Sequence, residues 1–180
     1  KDWLPYLIDF KGGTDYFYIE NKYKLIIDEE EFVEFIKELY GELKYRQKLF
    51  RQYRTSSLDK VNKRLKANGE KQIPRIMVCI DEYATIDTFD NDVKTKVIKM
   101  IGELIRLGRS FAVNFIVIVQ RPDSKSLGNS TIRSYFGCRA VGKLEDESGY
   151  GMAFGVSNDL KGEDKLFAEK MKKEDDFVGK

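Results

Sequence analysis

Residues 76–83 read I-M-V-C-I-D-E-Y, five apolar side chains followed at once by an adjacent pair of carboxylates. An unbroken apolar run this short fits a strand buried on both faces of a parallel sheet. Parallel strands need long crossovers, usually helical, so the run commits the chain to an α/β architecture. Carboxylates at the carboxyl end of such a strand stand where open α/β sheets bind ligands. A second run, V-N-F-I-V-I-V-Q at 113–120, repeats the pattern and ends in an amide.

The remaining chain alternates in the same way. P-Y-L-I-D-F at 5–10 reads as a strand leading into a Lys11-Gly12-Gly13 turn, and 24–27 as a short strand. Asp28 followed by Glu31 is a capping-box pattern. The long helix expected after it carries an apolar stripe of Phe32, Phe35, Ile36, Leu39, Leu43 and Phe50. Thr55-Ser56-Ser57 breaks that helix, and a basic one is expected over 58–67, stopping at Asn68-Gly69. A further helix is expected over 91–107, with Val93, Val97, Ile101, Leu104 and Ile105 inward. A short helix at 130–135, a last core strand at 137–142 and a helix at 145–154 complete the alternation.

Composition narrows the function. The chain has 180 residues, 42% apolar and 34% charged, enough for one domain with a core. It contains no His, which removes His-based catalysis and the usual zinc sites. Cys79 and Cys138 both fall in expected core strands and read as small buried hydrophobes, not as a disulfide or metal pair. No apolar stretch approaches the roughly 20 residues of a membrane span, and no signal peptide is visible. The chain begins with Lys, which points to an excerpt from a longer protein. The net charge of +2 is unevenly spread. Between Leu43 and Arg75 eleven Lys or Arg meet two acids, Asp59 and Glu70, and the balance reverses between Asp28 and Glu42. Clustered bases gain affinity for nucleic acid through counterion release. A solvated helical face or a subunit contact explains the same run equally well, and Tyr45 and Tyr53 within it stand at helical spacing, as packing residues do.

Six segments occur in order: I-D-F-K-G-G at 8–13, E-L-K-Y-R-Q at 42–47, V-C-I-D-E-Y at 78–83, L-G-R-S at 107–110, V-Q-R-P-D at 119–123 and I-R-S-Y-F-G-C-R at 132–139. Together they resemble the motor domain of the FtsK/SpoIIIE family of hexameric P-loop ATPases, whose pattern runs I-D-P-K, E-M-E-R-R, V-I-D-E, A-R-A-A-G, A-T-Q-R-P and N-I-P-x-R. The resemblance covers about residues 5–155. The segments from L-G-R-S to G-Y-G-M-A-F-G look most like the branch of TcpA-like coupling proteins of Gram-positive conjugative elements.

The resemblance implies a RecA-like core with a mostly parallel sheet flanked by helices, and it implies ATP and Mg²⁺ as ligands of the parent. It makes Asp81 the Walker B residue that organises Mg²⁺ through water, Glu82 the catalytic carboxylate and Gln120 the sensor amide near the γ-phosphate. Arg139 matches the arginine that reaches a neighbouring subunit's nucleotide, with Arg109 and Arg46 as weaker candidates for that task. Arg121 is expected to position its loop. Lys125 and Asn129, in the loop after Gln120, are candidates for contact with DNA in the channel of a homohexamer.

One departure stands out. The 180 residues contain no G-x-x-x-x-G-K-[ST] loop, whose backbone amides and Lys would cradle the phosphates. The expectation is therefore a fragment: residues 1–160 as the C-terminal part of a motor domain without its first strand and P-loop, and residues 161–180 as a charged tail. The isolated fragment is expected to be soluble and inactive. Its parent is expected on the cytoplasmic side of the cell membrane, tethered through regions absent here, with DNA, its own copies and relaxosome or secretion-channel proteins as partners. The leading reading is a DNA translocase acting in conjugative transfer. The alternatives are a type VII-like secretion ATPase that moves protein, which the I-D-F-K-G-G form also fits, and a chromosome-segregation translocase.

Overall fold

The elements in chain order are β1 (Trp3–Asp9), β2 (Lys24–Ile26), α1 (Glu29–Gln52), α2 (Leu58–Ala67), β3 (Arg75–Asp81), α3 (Asn91–Gly108), β4 (Val113–Val117) and α4 (Ser130–Tyr135). Short 3₁₀ turns lie at Phe17–Ile19, Tyr83–Thr88 and Arg109–Phe111. The computed structural model describes residues 3–120, 130–142, 150, 152 and 153. The four strands form one sheet in the order β2-β1-β3-β4, and every neighbouring pair is parallel. The α/β fold with a parallel sheet flanked by helices is therefore as the sequence implies. The chain divides into two compact units, residues 1–119 and 120–180.

The first unit follows the periodicity closely. The Asp28 carboxylate accepts from the Glu31 amide at 2.8 Å and caps α1, whose first turn is acidic, as the helix dipole favours. All six residues of the expected stripe are buried. On the covered face of the sheet, Tyr6 lies in register with Val78 and packs its ring 4.6 Å from that of Phe35 on α1. α3 lies against α1 and β4, with Val97, Ile101 and Leu104 buried. A second apolar cluster joins Leu49 and Phe50 to Leu58, Val61, Leu65 and Ala112, with Tyr53, Ile73 and Phe111 packed at its margin.

Three expectations are corrected. β3 is buried on one face only: Ile76, Val78 and Ile80 are enclosed, while Met77 and Cys79 between them are half-covered. On that second face Leu25, Leu7, Cys79 and Ile116 form one row across all four strands, and Ile116 is 48% exposed. The apolar run reflects a face that the described helices leave open. The strand expected at 137–142 does not form, and Cys138 there is exposed. A parallel strand needs a neighbour to receive its hydrogen bonds, and among the described residues β4 pairs with β3 alone. The two Cys are thus not both core residues. Third, Arg46 is wholly buried. It donates to Glu42 and to the carbonyls of Pro74, Phe111 and Ala112, so it cannot extend to another subunit.

In the second unit α4 forms where expected. Of the helix expected at 145–154, Tyr150, Met152 and Ala153 are helical, and the rest lies outside the described residues, as does the tail 161–180. Among the described residues no helix is long and apolar enough to cross a membrane.

Candidate functional site

Asp81 and Glu82 leave β3 at its carboxyl end, where the chain turns sharply. Asp81 is the last strand residue and is half-buried. Glu82 sits in the left-handed region, at φ 57° and ψ 64°. A Cβ there crowds the following carbonyl and costs about 1–2 kcal/mol, a strain that folds retain mostly where function or surrounding structure demands it. Two hydrogen bonds hold the turn against the neighbouring strand: the Ile118 amide donates to Ile80 O, and the Tyr83 amide donates to Ile118 O, both at 3.0 Å. The Tyr83 ring is buried beneath it. Burial and the nearby Asp87 charge push the phenol far above its ordinary range, so it stays protonated.

The register brings a further acid to this place. Asp9, the last residue of β1, lies directly beside Asp81 on the adjacent strand. After the Lys11-Gly12-Gly13 turn, with both glycines at positive φ, the chain returns Asp15. A carboxylate oxygen of Asp9, one of Asp15 and one of Asp81 all lie within 4.8 Å of one another. Asp9 is 0% exposed. Its Oδ1 accepts from the Lys11 amide at 2.9 Å, and its Oδ2 has no hydrogen-bond partner among the described residues. The Lys11 ammonium approaches Asp15 at 3.6 Å and Asp81 at 3.9 Å, one positive charge among three negative ones. The Tyr16 phenol beside them is pushed up by burial and then by Asp81, Cys79, Asp9 and Asp15. A donor set made only of carboxylate oxygens suits a hard cation such as Mg²⁺, so the residues present fit the metal side of a nucleotide site.

Sequence reasoning singled out Asp81 and Glu82 and passed over Asp9 and Asp15. The signal for Asp9 was its place at the end of a strand, but strand order and register, which put it next to Asp81, are tertiary facts.

Of the other expected residues, Arg46 and Arg109 lie in the first unit, and the rest fall in the second unit or outside the described residues. β3 and β4 are adjacent and parallel, so both strands run toward the same rim of the sheet. Gln120 opens the second unit as an exposed bend residue. Arg139 donates from Nη1 to the carbonyl of Ala153 at 3.0 Å and from Nη2 to that of Arg133 at 3.1 Å, which ties the guanidinium to its own unit. Arg109 is exposed at the end of α3. Arg121, Lys125 and Asn129 lie outside the described residues.

The basic stretch is partly consumed by structure. Lys44 pairs with Glu103, Arg46 with Glu42 and Arg75 with Asp59, and Arg64 lies over the Tyr53 ring. Lys60, Lys63 and Lys66 remain exposed on α2, opposite its buried Leu58, Val61 and Leu65.

No protein-family model matches the chain. It is 33% identical over 81 residues to the FtsK domain-containing protein YdcQ of Bacillus subtilis, covering 44% of this chain and 17% of that protein. It is 29% identical over 99 residues to the DNA translocase FtsK of Campylobacter jejuni, covering 54% of this chain and 10% of that protein. The chain therefore spans less than a fifth of the curated relatives it matches. Among solved structures it is similar to the pCW3 conjugation coupling protein TcpA, a monomer form with ATPγS, at TM-score 0.75 and 25% identity over 85% of this chain and 44% of that one. The fold also matches the cytoplasmic domain of the type VII secretion ATPase EccC of Thermomonospora curvata, at TM-score 0.63 and 22% identity over 86% of this chain and 18% of that one. The resemblance to FtsK/SpoIIIE-like P-loop ATPases, TcpA included, thus appears in sequence and in fold alike.

Proposed function

We propose that these residues form the hydrolysis side of an FtsK-like motor that drives DNA across a membrane in conjugative transfer. The observation that carries the reading is the Asp81-Glu82 pair at the carboxyl end of a strand within the parallel sheet, with Glu82 held in a strained left-handed turn. Mg²⁺ in such a site screens phosphate charge. Asp81 would help hold that ion, and Glu82 orients and deprotonates the attacking water. Gln120 senses the γ-phosphate, Arg121 holds the loop behind it, and Arg139 acts in trans within a homohexamer after leaving its carbonyl partners. Lys125 and Asn129 face the DNA. The phosphate cradle is not among the 180 residues, so the 180-residue chain by itself turns over ATP negligibly.

The test is DNA-stimulated ATP turnover by the full-length protein. Glu82→Gln lowers it by about 10²–10⁴-fold while nucleotide binding persists. Turnover equal to that of the unsubstituted protein overturns the reading.

A second reading, a type VII-like secretion ATPase, is favoured by the I-D-F-K-G-G segment and the similarity to the EccC fold. Affinity of the full-length protein for duplex DNA separates the two. DNA cargo requires a steep fall in affinity with salt, and protein cargo requires none.

A further inference from the structure

Asp9, Asp15 and Asp81 converge although they come from two strands and a turn. Acidic clusters on protein surfaces are common, and proximity alone assigns nothing. Asp9 differs from a surface acid. It is fully buried, its Oδ2 lacks a hydrogen-bond partner among the described residues, and a buried carboxylate oxygen left unpaired is costly unless a cation or donor meets it. The Lys11 ammonium contacts Asp15 and Asp81 but not Asp9, so the most deeply buried acid has no side-chain counter-charge among the described residues. The spacing suits an ion. Oxygens on opposite sides of a cation bound at about 2.3–2.6 Å stand roughly 4.6–5.2 Å apart, and those around Mg²⁺ somewhat closer; the three oxygens here lie within 4.8 Å.

We infer that Asp9, Asp15 and Asp81 form a divalent-cation site that fills without nucleotide, with Lys11 as the resident counter-charge that the ion displaces. The site draws only hard oxygen ligands, so its occupant is Mg²⁺, Mn²⁺ or Ca²⁺, not a thiophilic metal. It shares Asp81 with the proposed nucleotide site but needs neither ATP nor Glu82, and it stands whether or not the ATPase reading does. The ion neutralises the acids where β1 and β3 end side by side and fixes the Lys11–Asp15 turn against the sheet.

The experiment is titration of the nucleotide-free 180-residue chain with MnCl₂, followed by electron paramagnetic resonance of free Mn²⁺, with Mg²⁺ and Ca²⁺ as competitors. One saturable site is expected. Asp15→Asn, which alters an exposed turn residue, weakens it by at least the roughly 10–100-fold that loss of even an outer-shell partner costs, and Lys11→Gln tightens it by removing the competing ammonium. Asp9→Asn abolishes it; circular dichroism checks that this variant folds, and the Asp15 and Lys11 variants decide the matter if it does not. Glu30→Gln, on the acidic first turn of α1, leaves it unchanged. No saturable binding below about 10 mM Mn²⁺, weaker than weak extracellular calcium modules, overturns the inference. So does binding that ignores Asp15→Asn. Mn²⁺ binding that stays intact in Glu82→Gln, beside the loss of ATP turnover that the same substitution causes in the full-length protein, separates this site from the catalytic one.

Discussion

Arg46 on α1 donates from Nη2 to the carbonyl of Pro74 at 2.7 Å, which ties the longest helix to the residue before β3. Nη1 of the same guanidinium reaches the carbonyls of Phe111 and Ala112 at 2.9 and 3.1 Å, just ahead of β4. Nε meets Glu42 one turn back on α1. One buried fork therefore sets the starting points of the two strands that lead to the candidate site, and planar guanidinium geometry makes Arg the fitting residue.

Replacing it strands several acceptors at once. Arg46→Met is expected to cost about 3–5 kcal/mol, the range for breaking a buried hydrogen-bonded ion pair, read as a lower midpoint in urea denaturation. Arg46→Lys recovers only part, because an ammonium cannot span three carbonyls. A variant of unchanged stability would show that the fork is dispensable.

Arg54 closes α1 in the left-handed region at φ 49°. Its amide donates to Arg51 O, and the Thr55 amide donates to Phe50 O, the paired bonds of a Schellman ending. α2 ends in the same way, with Gly69 at φ 75° and the Glu70 amide bonded to Leu65 O. Arg54 is exposed, so its side chain pays for the strain with little packing in return. Arg54→Gly is expected to raise stability by about 0.5–1 kcal/mol, measured as a higher melting temperature.

Gly108 ends α3 against β4. A Cβ there would stand 2.7 Å from the backbone oxygen of Val113 and 3.2 Å from its Cβ. Backbone cannot yield as a side-chain tip does. Gly108→Ala is expected to destabilise by about 1–3 kcal/mol, again by denaturation midpoint, whereas Gly41→Ala, with open space around it, is expected to stabilise α1 slightly.

Glu103 on α3 accepts from Lys44 and Tyr40 on α1. Those hydrogen bonds, Lys44 first, hold its carboxyl below the ordinary 4.5. A lowered folded pKa contributes stability that is present above 4.5 and lost as pH falls through the folded value. Lys44 is raised above 10.5 by the same contact, so its share is present below that pH and lost as pH rises through its folded value. Glu103→Gln is expected to lower the melting temperature at pH 7, with the gap to the unsubstituted chain narrowing as pH falls below 4.5. A gap constant from pH 7 to pH 3 would refute the linkage.

Legibility in the sequence varied with how local the cause was. The capped start of α1, its buried stripe and the span of α2 follow from side-chain period and end signals, which act within a turn or two of helix. Residues 137–142 have strand-like composition, yet no strand forms there, because a strand exists only with a partner. Arg46 read as an arginine available to a neighbour until its three carbonyl partners, each at least 28 positions away in the chain, were in place. Asp81 and Glu82 were legible from one apolar run; Asp9 and Asp15 were not.

The order of apolar, acidic and turn residues by itself determined an α/β chain, its helix limits and the Asp81-Glu82 pair at a strand end. Only the tertiary structure decided that β1 and β3 are neighbours in parallel register, which sets Asp9 beside Asp81. The reason is physical: periodicity and capping are interactions between residues a few positions apart, whereas strand order and register arise from hydrogen bonds and packing between segments distant in the chain.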